Sequence, residues 1–278
     1  MNRGDASGKV LSPAYIAGIA AFVISGVLFF VRPDLAVLPL GLFVILCLAA
    51  PFLPRVGFFL PVISRGGGEG NAVALTFDDG PDPAVTPLLL DLLERYRLTA
   101  AFFVTGQNTE RYPALVREIL QRGHDVGNHS YRHDPLLMLR SRARLADEIA
   151  RSQELLAPFG IRPLAFRPPV GVTNPRLPGI LNELGMECVT FSCRACDFGN
   201  RRIGGLARTI LRKARPGAIV LLHDVSPPDA GRIAEWLAAV EEIIRGLGER
   251  GYAIVPLPDL IGRAVMERLP SPSSRDFS

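Results

Sequence analysis

A short apolar stretch that ends in two carboxylates constrains the fold of this chain more than any other feature. Residues 72–77 have the sequence Ala-Val-Ala-Leu-Thr-Phe, which is typical of a buried strand, and Asp78, Asp79 and a Gly-Pro turn signal follow directly. Adjacent carboxylates at the end of a buried strand repel each other and lose hydration, so a metal ion or a substrate is expected beside them. The alternative is a solvated turn in which an aspartate caps a helix that starts near Ala84.

From residue 71 onward, short apolar strand patterns alternate with amphipathic helix patterns. The predicted strands are 73–77, 100–104, 125–128, 165–167, 188–191, 218–222 and 253–255. The predicted helices are 84–96, 109–122, 141–157, 175–184, 203–214 and 233–250. Seven strands that alternate with helices predict an α/β fold with a mostly parallel sheet. A length of roughly 190 residues favours a small barrel over an eightfold one.

Two apolar segments without charged residues precede this alternating region, at 10–31 and 35–54. Each is about 20 residues long, which is enough to cross a bilayer, so we predict transmembrane helices at about these positions. The alternatives are a cleaved signal peptide for the first segment and a second segment that does not span, because three prolines interrupt it. The Lys/Arg distribution slightly favours cytoplasmic termini and leaves the side of the membrane open.

These patterns divide the chain into four parts. We predict a membrane anchor at 1–64, a glycine-rich linker at 65–70, an α/β domain at 71–262 and a C-terminal tail at 263–278. The first nine residues and the end of the tail are expected to be disordered. The expected location is therefore the cell membrane.

Charge and cysteine content narrow the classes of function. The net charge of +4 is mild, and no dense run of Lys and Arg with interleaved aromatic residues indicates a nucleic-acid partner. Nothing in the sequence identifies a protein partner. Cys193 and Cys196 form a single C-x-x-C pair, whereas a closed zinc site needs two further ligands, so we expect packing or site-rim thiols.

Two of the four histidines, His129 and His133, are four residues apart. On a helical turn this spacing puts both imidazoles on one face, as in many metal sites. With Asp79 they form a His-His-Asp set drawn from two predicted strand ends. Three nitrogen and oxygen ligands leave an open coordination position, which is typical of a catalytic metal site.

Three further motifs follow in the chain, and the whole series carries a family resemblance. The motifs are Arg167-Pro168-Pro169-Val170-Gly171, Asp197-Phe198 and Leu221-Leu222-His223. Together with the Thr-Phe-Asp-Asp-Gly and His-Ser-x-x-His stretches described above, they resemble the five ordered motifs of the polysaccharide deacetylase family. These are the NodB-homology enzymes, carbohydrate esterase family 4, and the resemblance covers about 72–258. It implies a distorted (β/α) barrel of about seven strands and metal-dependent N-deacetylation of an amino sugar.

The resemblance also implies a role for each polar site residue. One divalent metal, with zinc as the expected ion, would be held by Asp79, His129 and His133. Asp78 would act as the general base and His223 as the general acid that protonates the departing amine. Arg167 would orient Asp78, and Asp197 would orient His223.

The implied substrate pocket departs from the usual family pattern. Its implied substrate-binding residues are Pro169, Val170, Phe198 and Leu221, and a backbone N–H near Val170 would face the oxyanion. The family usually has an aromatic residue where Val170 stands, aspartate where Arg194 stands and tryptophan where Phe198 stands. The expected substrate is an N-acetylated amino sugar in an envelope glycan or in its lipid-linked precursor.

A basic segment follows the fourth motif and leaves a further question open. Its cations are Arg201, Arg202, Arg208, Arg212, Lys213 and Arg215. They predict either a solvated helical face or a surface that meets anionic headgroups or a lipid-linked sugar phosphate. Two alternative functions also fit the same fold: a deacylase for O-acetyl or other small acyl groups, and a non-catalytic glycan-binding module.

Overall fold

The structure is a computed structural model that describes residues 12–53, 55–67 and 70–270. Its helices are α1 (Pro13–Val31), α2 (Leu38–Ala49), α3 (Thr86–Arg95), α4 (Gly106–Arg111), α5 (Pro113–Gln121), α6 (Arg142–Glu154), α7 (Leu177–Leu184), α8 (Leu206–Lys213), α9 (Ile233–Glu249) and α10 (Leu257–Ile261). Its strands are β1 (Val62–Ile63), β2 (Ala72–Asp78), β3 (Ala101–Val104), β4 (Asp125–Asn128), β5 (Ile161–Pro163), β6 (Ala165–Phe166), β7 (Glu187–Val189), β8 (Cys193–Arg194), β9 (Ala218–His223), β10 (Ala253–Ile254) and β11 (Met266–Arg268).

The main sheet is parallel and curls into an incomplete barrel. Its strand order is β1-β7-β6-β4-β3-β2-β9-β8, and β10 pairs with β2 outside this path. All seven predicted strands are found, as β2, β3, β4, β6, β7, β9 and β10. The predicted α/β class and distorted barrel are therefore confirmed. Strands β1, β5, β8 and β11, each of two or three residues, were not predicted.

Strand β2 lies at the centre of the sheet, between β3 and β9, and its side chains alternate between two environments. Val73, Leu75 and Phe77 join the apolar cluster formed with the outer helices. Thr76 and Asp78 point to the opposite side and are also buried. The strand thus carries polar groups into the barrel interior at its carboxyl end.

One predicted helix is interrupted in the structure. The segment 109–122 contains the end of α4 and all of α5, which are separated at Tyr112. Pro113 is the first residue of α5, where its missing N–H costs nothing, but it cannot continue the hydrogen bonds of α4. Helix α4 starts before the predicted segment, at Gly106, because the Thr105 side chain caps it.

The apolar N-terminal segments form a helical hairpin whose side chains are largely exposed. Helix α1 and the segment Pro33–Phe52, which contains α2, are each long and apolar enough to cross a membrane, although a signal sequence has the same properties. Phe22 is 67% exposed and Phe30 is 86% exposed. In water, such exposure of contiguous apolar side chains is unfavourable, which is the physical reason to expect a lipid environment.

Segments on both sides of the predicted α/β domain add strands to it. Val62–Ile63, inside the predicted anchor, pairs with β7, and Met266–Arg268, inside the predicted tail, pairs with β5. The four-part division of the chain stays a prediction, and any boundary has to accommodate these pairings. The disorder predicted for residues 1–9, most of that predicted from Leu269 onward, and part of the predicted linker lie outside the described residues. Leu269 itself is described, and its N–H donates to the carbonyl oxygen of Gly160 at 2.8 Å.

Gly127 in β4 lies against the Phe103 ring, since a Cβ atom at this position would come within 2.6 Å of that ring. We expect Gly127→Ala to lower the free energy of unfolding by about 1–3 kcal/mol, because the extra methyl group overpacks the barrel interior. Gly179→Ala is the matched control, because its Cβ on helix α7 meets nothing within 4 Å and should be neutral or stabilising. Urea unfolding of the full chain in detergent, followed by circular dichroism, measures the free energy of unfolding of each variant. An equal change in the two variants would contradict overpacking at Gly127.

Candidate metal centre and active site

Parallel strands bring the polar site residues to one edge of the sheet. Strand β2 ends at Asp78 and β9 ends at His223, and the two residues are paired in register. His129 follows directly after β4, and Arg167 follows directly after β6. Because the carboxyl ends of parallel strands lie at the same edge, residues distant in sequence meet there.

Asp79, His129 and His133 form a compact set of metal-ligating groups. Their ligand atoms all lie within 4.8 Å of one another. Oδ1 of Asp79 is 3.4 Å from Nε2 of His129 and 3.2 Å from Nε2 of His133. Among the described residues, these three form the one group of His, Cys, Asp or Glu side chains that are close enough together to hold a metal ion.

The protonation of His129 suits a metal ligand. Its Nδ1 lies 2.7 Å from the carbonyl oxygen of Arg167, which can only accept, so Nδ1 carries the proton. In the neutral ring, Nε2 therefore presents a lone pair towards Asp79. Oδ1 of Asp79 is buried and has no hydrogen-bond partner among the described residues. Two imidazole nitrogens and an unpartnered carboxylate oxygen fit a divalent transition metal.

The expected helical turn between the two histidines is wrong. His129 and His133 lie in a loop, in which Ser130 and His133 have left-handed φ angles of 64° and 53°. Hydrogen bonds between residues close in sequence fix this loop: Ser130 N donates to Asn128 Oδ1, and His133 N donates to Ser130 Oγ. The ring centroids still lie 4.9 Å apart, so a strained loop achieves the convergence that a helix would give.

The three candidate ligands shift one another's pKa. Burial opposes the charged form of Asp79, but an imidazolium at His129, whose Nε2 would then donate to this carboxylate, outweighs burial and holds the pKa of Asp79 well below its usual range. Burial also opposes a charged His129, yet the carboxylates of Asp78 and Asp79 raise the pKa of that imidazole. Burial and the charge of His129 lower the pKa of His133. The site therefore favours one positive charge among its carboxylates, which is what a cation supplies.

Asp78 is buried in an ion pair with Arg167. Nη1 of Arg167 lies 2.6 Å from Oδ1 of Asp78, and Arg167 has no exposed surface. The second oxygen of Asp78 lies 3.7 Å from Nε2 of His129. One carboxylate oxygen is thus held by the guanidinium, while the other faces the candidate metal centre.

The Arg167 side chain is fixed along its whole length. Nη1 donates to Thr76 Oγ1, and Nε and Nη2 donate to the carbonyl oxygens of Val189 and Thr190. The guanidinium lies 3.8 Å from the centroid of the Phe103 ring. Burial lowers the pKa of Arg167, and the charge of Asp78 opposes that change. These contacts explain why a buried cation is tolerated here.

His223 and Asp197 form a second buried pair on the other side of the cleft. Nδ1 of His223 lies 2.8 Å from Oδ2 of Asp197. Burial opposes the imidazolium, but the hydrogen bond and charge of Asp197 overcome this effect and raise the pKa of His223 to about 9. The His223 side chain is 15% exposed, so the ring reaches the cleft while its partner stays buried.

The three candidate metal ligands, together with Asp78, Asp197 and His223, line a cleft of about 540 Å³ at the carboxyl edge of the sheet, and Arg167 lies buried behind it. Three of the four predicted substrate-binding residues, Val170, Phe198 and Leu221, also line it. The fourth, Pro169, is buried and is not among the lining residues, whereas its neighbour Pro168 is. Val170 and Phe198 both have left-handed φ angles and are about half exposed or more, at 51% and 61%.

Several residues that shape the site gave no recognisable signal in the sequence. Asn108 Nδ2 donates to the carbonyl oxygen of Asp79, which has a left-handed φ of 75°. Asn200 Nδ2 donates to the carbonyl oxygens of His223 and Val225 and so ties the Phe198 loop to β9. Such asparagines are recognised only once their distant backbone partners are known.

The C-x-x-C pair is divided between two environments. Cys193 is buried, with its thiol beside the Ile210 carbonyl oxygen, whereas Cys196 is exposed at the cleft. Burial raises the pKa of the Cys193 thiol to about 11. Among the described residues, neither cysteine belongs to a group with metal-ligand spacing. The pair therefore fits the expected packing and site-rim thiols.

Comparison with known proteins agrees with this geometry. The sequence profile described as polysaccharide deacetylase matches residues 65–189. A chitooligosaccharide deacetylase of Azorhizobium caulinodans is 35% identical over 197 residues, which cover 68% of this chain and 93% of that protein. The chain belongs to the polysaccharide deacetylase family. Its enzyme class, carbohydrate deacetylase, follows from the same relatives.

Other members of the family extend the likeness to solved structures. A peptidoglycan-N-acetylglucosamine deacetylase of Bacillus cereus is 34% identical over 191 residues, covering 68% of this chain and 87% of that protein. The crystal structure of the Bc1960 peptidoglycan N-acetylglucosamine deacetylase superposes with a TM-score of 0.66 at 29% identity, covering 73% of this chain and 94% of that one. This polysaccharide deacetylase thus shares the fold of solved family members.

Replacing a candidate ligand should abolish metal binding. We expect His133→Ala and Asp79→Ala to weaken affinity for Zn²⁺ by at least about 100-fold, because each removes one of three ligands. Isothermal titration of the metal-free full chain in detergent, with metal content measured by mass spectrometry, gives the affinity. His124→Gln is the control, since His124 is buried away from the site and accepts a hydrogen bond from Ala100 N. Retained stoichiometric binding by both ligand variants would contradict the assignment.

Proposed function

We propose that this polysaccharide deacetylase is a metal-dependent hydrolase that removes N-acetyl groups from amino sugars of an envelope glycan or of its lipid-linked precursor. Relatives named for chitooligosaccharide and peptidoglycan substrates support an amino-sugar substrate. The exposed apolar hairpin supports anchorage in the cell membrane.

The observation that carries the proposal is the pairing of an acid and a base across one cleft. Asp78 is bonded to a buried cation, Arg167, and His223 is bonded to a buried anion, Asp197. The guanidinium stabilises negative charge on Asp78, whereas the hydrogen bond and charge of Asp197 overcome burial and raise the pKa of His223. A module that only binds glycan needs neither group, so the intact pair favours catalysis.

Asp78 is the proposed general base. One oxygen of Asp78 accepts from the Arg167 guanidinium, and the other oxygen faces His129 and the cleft. This oxygen accepts a proton from the water that attacks the acetamide carbon. Arg167 acts through Asp78, because it is fully buried behind that carboxylate.

His223 is the proposed general acid. An amide nitrogen leaves readily only when it is protonated, and an imidazolium supplies a proton near neutral pH. Asp197 accepts the hydrogen bond from Nδ1, which leaves the proton on Nε2 for the departing amine.

The metal set and the cleft walls complete the proposed site. A divalent metal, for which we propose zinc, supplies Lewis acidity towards the acetyl carbonyl group and towards water when it is held by Asp79, His129 and His133. We propose that Val170, Phe198 and Leu221 contact the acetyl group and the sugar ring, and that a backbone N–H near Val170 faces the developing oxyanion. Pro169 supports this loop from its buried position.

Acetate release tests the proposal. The metal-loaded full chain in detergent should release acetate from chitooligosaccharides, and Asp78→Asn should lower kcat by about 10²–10⁴-fold while leaving metal content unchanged. Asp91→Asn, on the outer face of α3, is the matched control and should retain activity. Release only from O-acetylated sugars would favour the alternative of an O-deacetylase. Metal binding without release from any acetylated sugar would contradict the proposed activity.

The pH profile tests the role of Asp197. His223 must be protonated to donate, and Asp197 raises its pKa to about 9, so the alkaline fall in kcat/KM should lie above neutrality. Asp197→Asn removes the stabilising charge, so the imidazolium should lose its proton at lower pH and the alkaline limb should shift in that direction. Because a bound cation also lowers the pKa of His223, the difference between the two enzymes is the test. Identical alkaline limbs would rule out the proposed coupling.

A further inference from the structure

Exposed apolar side chains in the α/β domain are concentrated around the cleft. Among the described residues beyond position 56, the exposed large apolar side chains are Leu88, Leu136, Leu139, Val170 and Phe198. All except Leu88 lie in loops that follow a polar site residue at the carboxyl edge of the sheet. We call Leu136, Leu139, Val170 and Phe198 the apolar rim. Val170 and Phe198 line the cleft, and Leu136 and Leu139 follow Pro135, which also lines it. Single exposed apolar residues are ordinary on a protein surface, but four on loops that carry cleft-lining residues indicate a contact surface.

The apolar rim is connected to the N-terminal hairpin at the end of α2, around Ala50 and Pro51, which we call the foot of the hairpin. Between Leu136 and Leu139, the buried Leu137 and Met138 belong to the same apolar cluster as Ala50, at the end of α2. On the Val170 loop, the Thr173 N–H donates to the Pro51 carbonyl oxygen at 3.4 Å. The loops of the cleft and the end of the apolar hairpin are therefore parts of one packed unit.

The two loops at this foot are also tied to each other. Asn174 Nδ2 donates to the carbonyl oxygen of Met138 at 2.7 Å, and Nη2 of Arg176 donates to the same oxygen at 2.8 Å. These bonds hold the Leu136–Leu139 turn beside the Val170 loop. Leu139 is therefore 77% exposed on a turn that hydrogen bonds hold in place.

A second apolar feature lies at the same foot. A cavity of about 650 Å³ opens between the hairpin and the start of α7, and it is lined largely by apolar side chains, including Tyr15, Phe43, Phe59 and Pro178. Water in such a cavity finds few hydrogen-bond partners, whereas a hydrocarbon chain fills it favourably. The continuity of this cavity with the exposed hairpin favours lipid as its occupant.

Cations accompany the apolar rim. Arg132 lies between the two histidines of the metal set, and Arg201 and Arg202 follow Phe198; all three are exposed. The guanidinium of Arg202 lies over the Phe198 ring, 5.2 Å from its centroid. Apolar side chains flanked by arginines are typical of surfaces that enter the headgroup region of an anionic bilayer.

We propose that the apolar rim is a membrane-contact surface that holds the cleft against an anionic lipid bilayer. This orientation favours an amino sugar that is linked to a membrane-inserted lipid as substrate. The sugar of such a molecule lies at the level of the lipid headgroups, beside the cleft. This inference rests on the proposed N-deacetylase function and hairpin anchorage, and it deepens both. Leu136 and Leu139 belong to the membrane contact and not to the catalytic groups.

Fluorescence quenching tests the contact without reference to activity. Trp236 is the single tryptophan of the chain and has no exposed surface, so an added tryptophan reports its own position against a measured background. The full chain with Leu139→Trp, in nanodiscs of phosphatidylglycerol and acyl-brominated phosphatidylcholine, should lose about half or more of the added fluorescence. Leu88→Trp, which is exposed outside the apolar rim, is the matched control and should not be quenched. Equal quenching of the two, or none at Leu139→Trp, would overturn the proposal.

Substrate selectivity tests the consequence. In the same nanodiscs, Leu136→Ser combined with Leu139→Ser should lower kcat/KM by about tenfold for a chitooligosaccharide bearing a membrane-inserted alkyl chain. The same variant should remain within about twofold of wild type for the free chitooligosaccharide. Leu88→Ser should change neither value. An equal loss on both substrates would refute the membrane role of the apolar rim.

The two proposals fail in different ways. If the wild-type chain releases no acetate from either sugar, the proposed deacetylase function is wrong, while the quenching result still decides whether the apolar rim enters the bilayer. If acetate is released and Leu139→Trp is not quenched, the function stands and the membrane contact is wrong.

Discussion

The buried ion pair between Asp78 and Arg167 is the interaction on which the candidate site depends. The guanidinium holds one oxygen of Asp78, and the carbonyl oxygen of the same arginine fixes the tautomer of His129. Arg167 thereby couples the proposed base to a metal ligand through one residue. Removing either partner would leave a buried charge unpaired, which typically costs about 3–5 kcal/mol, so the pair also ties the chemistry to the stability of the barrel.

The surrounding strands position and pack the Asp78–Arg167 pair. Strand β2 delivers Asp78 from the centre of the sheet, and Phe103 from the neighbouring strand supplies the ring on which Arg167 stacks. Gly127 provides the space that this ring occupies. Elsewhere in the cleft, His223 is paired with an anion, Asp197, whereas Asp78 is paired with a cation. Two carboxylates thus have different tasks because one faces a cation and the other faces an imidazole.

The sequence predicted the strands well, and the polar residues that it singled out meet at one edge of the sheet, for identifiable reasons. Apolar runs that end in Asp or His are conspicuous, and parallel strands necessarily bring such ends together. Features that depend on distant partners were not predictable: the left-handed loop between His129 and His133, the buried position of Pro169, and the strand pairing of Val62–Ile63. The break of the predicted helix before Pro113 was signalled by that proline and was missed.

Dependence of activity on metal occupancy tests the central claim most directly. The full chain should be stripped of metal, titrated with Zn²⁺ and assayed for acetate release from chitooligosaccharides at each addition. We expect no release from the stripped protein and a rise that saturates at one metal per chain, because Asp79, His129 and His133 form one site. Full activity in the stripped protein would contradict a metal-dependent mechanism.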